Sequence, residues 1–130
     1  MKHIAIFREP FYSFVINGKK TIESRWSNKK IAPFGKVNKG DELLIKKTGG
    51  KVTATAKVER VEYFNLTSQI AHYINKTYGK EICTNYFDDW EKYASKKYCT
   101  LIWLEDVKIV KEFSVKKSNG AGWIVVKENK

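Results

Sequence analysis

One stretch of the chain concentrates side chains able to do chemistry: Gly18-Lys19-Lys20-Thr21-Ile22-Glu23-Ser24-Arg25-Trp26. In an extended strand, Thr21, Glu23 and Arg25 share one face, and Ile22, Ser24 and Trp26 share the other. Lys20 enters from the preceding turn, so Lys20, Glu23 and Arg25 can converge on one patch. Glu23 can pair with either base, and a base left over can meet an anion. Arg25 offers a planar fork suited to phosphate or a base edge. Lys20 offers a point charge whose pKa falls when it is buried. A desolvated Lys20 can act as base or nucleophile near neutral pH, with Glu23 holding it in place or relaying a proton. Lys20 and Glu23 are therefore the candidate catalytic pair. The competing reading is a fixed Lys20–Glu23 salt bridge that shapes a pocket. A pair that stays charged and satisfied has little drive to transfer protons, which puts binding ahead of catalysis.

Other residues extend this patch into a candidate binding surface. The sequence is 14% aromatic, with four tryptophans, and unstacked bases are held on aromatic faces or arginine planes. Trp26, directly after Arg25, is the first stacking candidate, although its side chain belongs to the opposite strand face unless the strand ends there. Tyr63, Trp103 and Trp123 are weaker candidates. Core packing is the alternative for each, and is the favoured role for Trp90 and Trp103. Arg8, at the end of the first strand, is placed beside the motif at the cleft mouth. The pairs Lys29-Lys30 and Lys46-Lys47 fit either an electrostatic footprint for phosphates or a solvated face.

The elements that must hold these residues can be read from local pattern. Residues 3–7 read as a strand. Pro10 opens a helix carrying Phe11, Phe14 and Val15 on one face, and Gly18 stops it. Thr21–Trp26 reads as a strand and Ser27–Lys39 as a loop. Gly40-Asp41 turns into the strand Glu42–Lys47, and Gly49-Gly50 makes a hairpin. Val52, Ala54, Ala56 and Val58 then alternate with polar residues, which marks a half-buried strand to about Tyr63. Helices follow at about Thr67–Tyr78, with Gly79 as stop, and at Tyr86–Lys96, where Asp88 and Asp89 come early and Lys96 and Lys97 late, as the helix dipole prefers. Strands resume at Tyr98–Leu104, Val107–Val115 and, after Gly120-Ala121-Gly122, Trp123–Lys127. Helices do not alternate regularly with strands, so a doubly wound parallel sheet is disfavoured. The pattern fits an α+β domain: a small mixed, mainly antiparallel β-barrel with helices at its ends.

Composition bounds the function. The 130 residues fit one domain spanning 1–130. No apolar run approaches the roughly 20 residues of a spanning helix. The opening Met1–Phe7 reads as strand, not as a signal peptide, so the expected location is cytoplasmic. The net charge is +11 and the pI about 9.6, which favours an anionic partner. The charge is uneven: residues 1–60 hold 14 Lys and Arg against 5 Asp and Glu, while residues 61–130 hold 11 against 9. Cys83 and Cys99 form no C-x-x-C pair, and His3 and His72 are the only histidines. Neither zinc nor any other metal is expected, and the cysteines read as core residues. The motifs of P-loop, dinucleotide, zinc-protease and α/β-hydrolase sites do not occur, and no cofactor is expected.

Gly18-x-Lys20-x-x-Glu23-x-Arg25 resembles the G-x-K-x-x-E-x-R motif of the ASCH-domain family. The apolar helix before it and the Gly40-Asp41 turn after it stand where that family has them, so residues 4–62 carry the likeness. The later strands and Gly120-Ala121-Gly122-Trp123 fit loosely. The resemblance implies a PUA-like β-barrel, with a cleft floored by the motif strand and a role in RNA metabolism. Some family members are ribonucleases, and others are amidohydrolases of N4-acetylcytidine that use a lysine, a threonine and a glutamate. Lys20 matches that lysine. Glu23 stands in place of the threonine. Near the place of the glutamate stands Ile74, with Glu62 and Glu81 only neighbours in sequence. The expectation is thus a domain that binds RNA or a nucleotide-like small molecule, through Arg8, Lys20, Arg25, Trp26 and Tyr63. No membrane partner is expected, and a monomer is the default. A small hydrolase using Lys20 and Glu23 is the alternative, and a protein-interaction module using residues 67–96 is the third.

Overall fold

A computed structural model describes residues 1–116 and 120–127. Ten elements follow one another: β1 (Lys2–Phe7), α1 (Phe11–Ile16), β2 (Ile22–Ser27), β3 (Glu42–Lys47), β4 (Val52–Asn65), α2 (Ser68–Ile82), a 3-10 turn (Thr84–Tyr86), α3 (Trp90–Ala94), β5 (Tyr98–Phe113) and β6 (Trp123–Val126). The strands form one six-stranded sheet in the order β2-β5-β4-β3-β1-β6. Only β1 and β3 pair in parallel; the other pairs are antiparallel. This is the expected α+β class with a mixed, mainly antiparallel sheet, here curled into a half-barrel.

The curl has a local cause. The β4–β5 ladder slips register at three places and the β3–β4 ladder at one, and such irregularities bend and twist a strand pair. The two edges of the sheet are thereby brought face to face. No backbone ladder joins β2 to β6 among the described residues. Instead Arg25 on β2 reaches across, donating from Nη2 to Ile6 O on β1 and from Nη1 to Gly122 O just before β6, each at 2.9 Å.

Alternation along the strands fills the inside of the curl. Leu43 and Ile45 on β3, Ala54, Ala56 and Val58 on β4, and Ile102 and Leu104 on β5 pack with Phe7, Phe11, Val15 and Trp123. The small residues of β4 leave room for the large ones opposite them. A second cluster lies between α2 and the β2–β5 pair: Ile74 and Ile82 against Ile22, Cys99 and Leu101. Both cysteines are buried, and burial pushes both thiols up.

Several expectations are corrected. Gly79 does not stop α2. The helix continues to Ile82 and ends at Cys83, in the left-handed region at φ 69°. A Cβ on Gly79 would lie 2.7 Å from both Asn75 Oδ1 and Thr84 Oγ1, so close packing, not chain reversal, requires glycine there. The segment 86–96 holds only the short α3. It starts late because Asp89, expected inside the helix, is its N-cap and accepts from Lys92 N. The expected break between two strands near residue 105 is absent: β5 runs through it, with Asp106 at φ 51°. Trp90 and Trp103 are half-buried rather than core residues, and Trp103 packs under the Arg60 guanidinium. Trp123, offered as a stacking residue, is 5% exposed and belongs to the core. Among the described residues, no helix is long and apolar enough to cross a membrane.

Candidate functional site

The turn after α1 delivers Lys20 to the interior. Gly18, at φ +82°, reverses the chain in a region closed to most side chains. Lys20 N then bonds Phe14 O, and Thr21 N bonds Glu81 O, which wedges the segment between α1 and the end of α2. The left-handed turn at Cys83 leaves the Ile82 carbonyl without a helical partner. Lys20 Nζ donates to it at 2.6 Å. An ammonium at a helix C-terminus also meets the negative end of the dipole.

Glu23 sits beside this amine on β2, with Oε1 3.3 Å from Lys20 Nζ. Oε1 also accepts from Ser24 N at 2.8 Å. Oε2 accepts from Arg25 Nε at 3.0 Å and from Arg25 Nη2 at 2.9 Å. Glu23 therefore pairs with both bases, and the expectation that one base is left over is corrected. Four of the five guanidinium N–H groups of Arg25 have acceptors, so the open fork expected for phosphate is largely occupied. One Nη1 hydrogen remains.

Burial decides the protonation tendencies. Lys20 is only 2% exposed. Desolvation pulls its amine below the ordinary lysine range, while the Glu23 charge opposes that fall and Arg25 adds to it. Burial works to raise Glu23, but the Arg25 and Lys20 charges and the Ser24 N–H outweigh it and hold the carboxyl low. The arrangement is a fixed carboxylate beside an amine whose pKa burial pulls down and the carboxylate pulls up.

These residues floor a cleft of about 420 Å³, within the usual size range of small-molecule sites. Phe7 and Arg8 line it from the end of β1, Phe11 from α1, and Lys46, Thr48 and Gly49 from the β3–β4 hairpin. Trp26, Phe87 and Tyr93 give it an aromatic wall, and Gly120, Ala121 and Gly122 also border it. Trp26, near the end of β2, keeps the face that alternation gives it, with Ser24 and against the cluster of Ile22, Cys99 and Leu101, and still borders the cleft. Its Nε1 donates to Ser24 Oγ, and Trp90 and Tyr93 meet its ring edge-on. Arg8 stands at the mouth, half exposed, donating to Tyr93 OH at 2.9 Å with Asp88 3.7 Å away.

The structure thus brings Arg8, Lys20, Glu23, Arg25 and Trp26 together. Tyr63 lies elsewhere. Its hydroxyl accepts from Val37 N and donates to Val37 O, and its ring packs on Phe34. It anchors the loop before β3 and does not line the cleft. Ile74, on α2, is fully buried against the sheet, Glu62 pairs with Arg60, and neither Glu62 nor Glu81 reaches the cleft. Among the described residues, Glu23 is the only acid lining it, and no three metal-ligating side chains cluster.

Sequence reasoning missed Phe87 and Tyr93 as cleft walls: Phe87 lies in the irregular stretch before α3, and Tyr93, on α3, reaches the cleft through a packing of that short helix that no local signal specifies. It also missed a buried support behind Arg25. Trp123 Nε1 donates to His3 Nδ1 at 3.1 Å, and the ring nitrogen Nε2 of His3 lies 2.8 Å from Asp41 Oδ2. An indole N–H can only donate, so neutral His3 carries its proton on Nε2. The Trp123 face lies 5.2 Å from the Arg25 guanidinium, and the Phe7 ring 5.3 Å. Arg25 is thus held between aromatic rings as well as by hydrogen bonds.

Comparisons with known proteins agree with this architecture. The sequence profile of the ASCH domain matches residues 6–102. The fold is similar to the crystal structure of ASCH from Zymomonas mobilis, at TM-score 0.71 and 14% identity over 98% of this chain and 88% of that one. It is similar also to a tyrosine-to-phenylalanine mutant of that protein, at TM-score 0.72 and 14% identity over 98% and 91%. No curated protein sequence matches the chain at a significant level.

Proposed function

The chain belongs to the ASCH-domain family, and on that premise we propose that its cleft binds one nucleotide unit, free or within RNA, in the service of RNA metabolism. The observation that carries this reading is a buried lysine–glutamate–arginine array at the bottom of a cleft with an aromatic wall and basic residues at its rim. The wall supplies stacking faces at Trp26 and Tyr93, and a stacked base is worth about 1–3 kcal/mol. Arg8 and Lys46 supply charge for a phosphate near the opening. The floor presents the Lys20 amine toward the polar edge of a base. In the same reading the domain acts in the cytoplasm, as a monomer.

The test is binding of labelled RNA and of mononucleotides, by anisotropy and calorimetry, at two salt concentrations. Salt-dependent RNA binding, weakened about tenfold or more by Lys20→Ala, is expected. No binding to any RNA or nucleotide at low salt refutes the proposal.

One observation favours a second reading, hydrolysis: the Lys20 amine lines the cleft floor while buried, and burial lowers its pKa. Against it stand the replacement of the family's threonine by Glu23 and the lack of another acid among the described cleft residues. Incubation with N4-acetylcytidine and with structured RNA separates the readings. Product that disappears in Lys20→Ala supports hydrolysis, product that survives the substitution removes Lys20 from the mechanism, and no product leaves binding alone.

A further inference from the structure

The Arg25–Gly122 hydrogen bond is a partition with a cavity on each side. One is the cleft. The other, of about 210 Å³, is walled by the same Arg25, Trp26 and Gly122, and then by Ser27, Thr100 and the Ile31–Pro33 segment. Its surroundings are unusual for a structural void. Ile31 is 59% exposed, an apolar ledge held at the surface. The exposed Lys29 and Lys30 lie beside it, and Lys30 Nζ is 5.6 Å from the Tyr98 ring centroid.

We infer that this second cavity holds the nucleotide adjacent to the one in the cleft, so that the protein reads single-stranded RNA as a dinucleotide step. The inference rests on the proposed role of the cleft and adds a site to it. Two bases in cavities that share one wall must be joined by a phosphodiester crossing that wall. The crossing point is the Arg25 guanidinium, which lines both cavities and keeps one Nη1 hydrogen beyond its four protein bonds. The charges follow the same line. Lys46 lines the cleft, and the exposed Lys29 and Lys30 immediately precede Ile31 of the second cavity, so basic groups stand near both ends of the path. The Ile31 ledge gives the second base an apolar face that does not depend on its identity. Bases separated in this way must be unstacked, which a single strand allows and a duplex resists.

Calorimetry with nucleoside 5′-monophosphates, dinucleotides and a hexanucleotide tests the inference on the wild type and on Lys30→Glu/Ile31→Glu. Both substituted positions are exposed and outside the core. The wild type is expected to bind dinucleotides at least tenfold more tightly than monophosphates. The double variant is expected to lose that tenfold gain while keeping its monophosphate affinity. Dinucleotides that bind no more tightly than monophosphates overturn the second site and leave the cleft reading intact, and this comparison needs no variant. A double variant that retains the full gain overturns it too. A wild type that binds neither ligand removes the cleft reading, and the second site with it.

Discussion

Replacing Glu23 by glutamine tests whether the buried array is an ion network or a set of interchangeable hydrogen bonds. Glutamine keeps the shape and one acceptor oxygen. It removes the charge that offsets Lys20 and Arg25, and it points an amide N–H₂ at groups that can only donate. Removing one member of a buried ion pair costs about 3–5 kcal/mol, because its partner is left charged and uncompensated. Arg25 retains two backbone acceptors and two aromatic faces, which places the expected loss near the lower limit, about 3 kcal/mol. For a chain of this length that corresponds to a fall in Tm of roughly 10–15 °C.

The pH dependence separates this cause from simple loss of packing. Glu23 has a depressed folded pKa, so its contribution is present above the unfolded carboxyl value and is lost as pH falls through the lower folded value. Below that point wild type and variant converge. Lys20 also has a lowered folded pKa. The unfolded chain then binds more protons between the folded and unfolded values, and stability rises with pH across that window. Removing the Glu23 charge lowers Lys20 further, so the variant recovers more stability with rising pH than the wild type does. The difference between the two proteins, measured by urea denaturation from acid through neutral to alkaline pH, is therefore expected to be small in acid, largest in the middle range and smaller again in alkali. A difference that stays constant across that range would falsify the ion-network account, as would a loss under about 1 kcal/mol at neutral pH.

Three further substitutions probe the scaffold. Ile74→Ala empties a fully buried position on the sheet-facing side of α2 and is expected to cost about 2–5 kcal/mol in denaturant; a smaller loss would show that α2 collapses onto the sheet. Gly79→Ala should destabilise by about 1 kcal/mol, although helix propensity alone favours alanine by about that amount, because the new methyl displaces Asn75 and Thr84. A rise in Tm contradicts the packing account of Gly79. Tyr63→Phe removes the hydroxyl that grips Val37 and is expected to cost about 1 kcal/mol without changing RNA affinity. Weakened binding in a variant of unchanged fold would return Tyr63 to the site.

The sequence was legible where one local signal had one outcome. Gly18, Gly49 and the alternation of Val52, Ala54, Ala56 and Val58 each dictated a turn or a face, and the structure has them there. Legibility failed where a residue type serves two purposes. Gly79 carries the usual mark of a helix end, yet it sits inside α2 because its neighbours leave no room for a methyl. Cys83, with no such mark, supplies the left-handed turn instead. The break near residue 105 failed for a related reason: β5 absorbs the irregular backbone at Asp106 as part of the curvature that closes the half-barrel.

The motif shows the same division at the level of function. Spacing alone could bring Lys20, Glu23 and Arg25 together, and they do meet. It could not show how much of Arg25 is already engaged, because Ile6 O and Gly122 O come from segments 19 and 97 residues away, and the Trp123 ring from the strand that follows. Those long-range contacts change the meaning of the motif. Arg25 joins the open edges of the sheet and fixes the Glu23 carboxylate, while Lys20 retains a chemically adjustable group. Closure of the half-barrel and assembly of the cleft floor are thus one event, carried by the same guanidinium. A substitution that loosens the β2–β1 seam, such as one behind Trp123 at His3, must therefore disturb the Lys20–Glu23 geometry even though it touches neither residue.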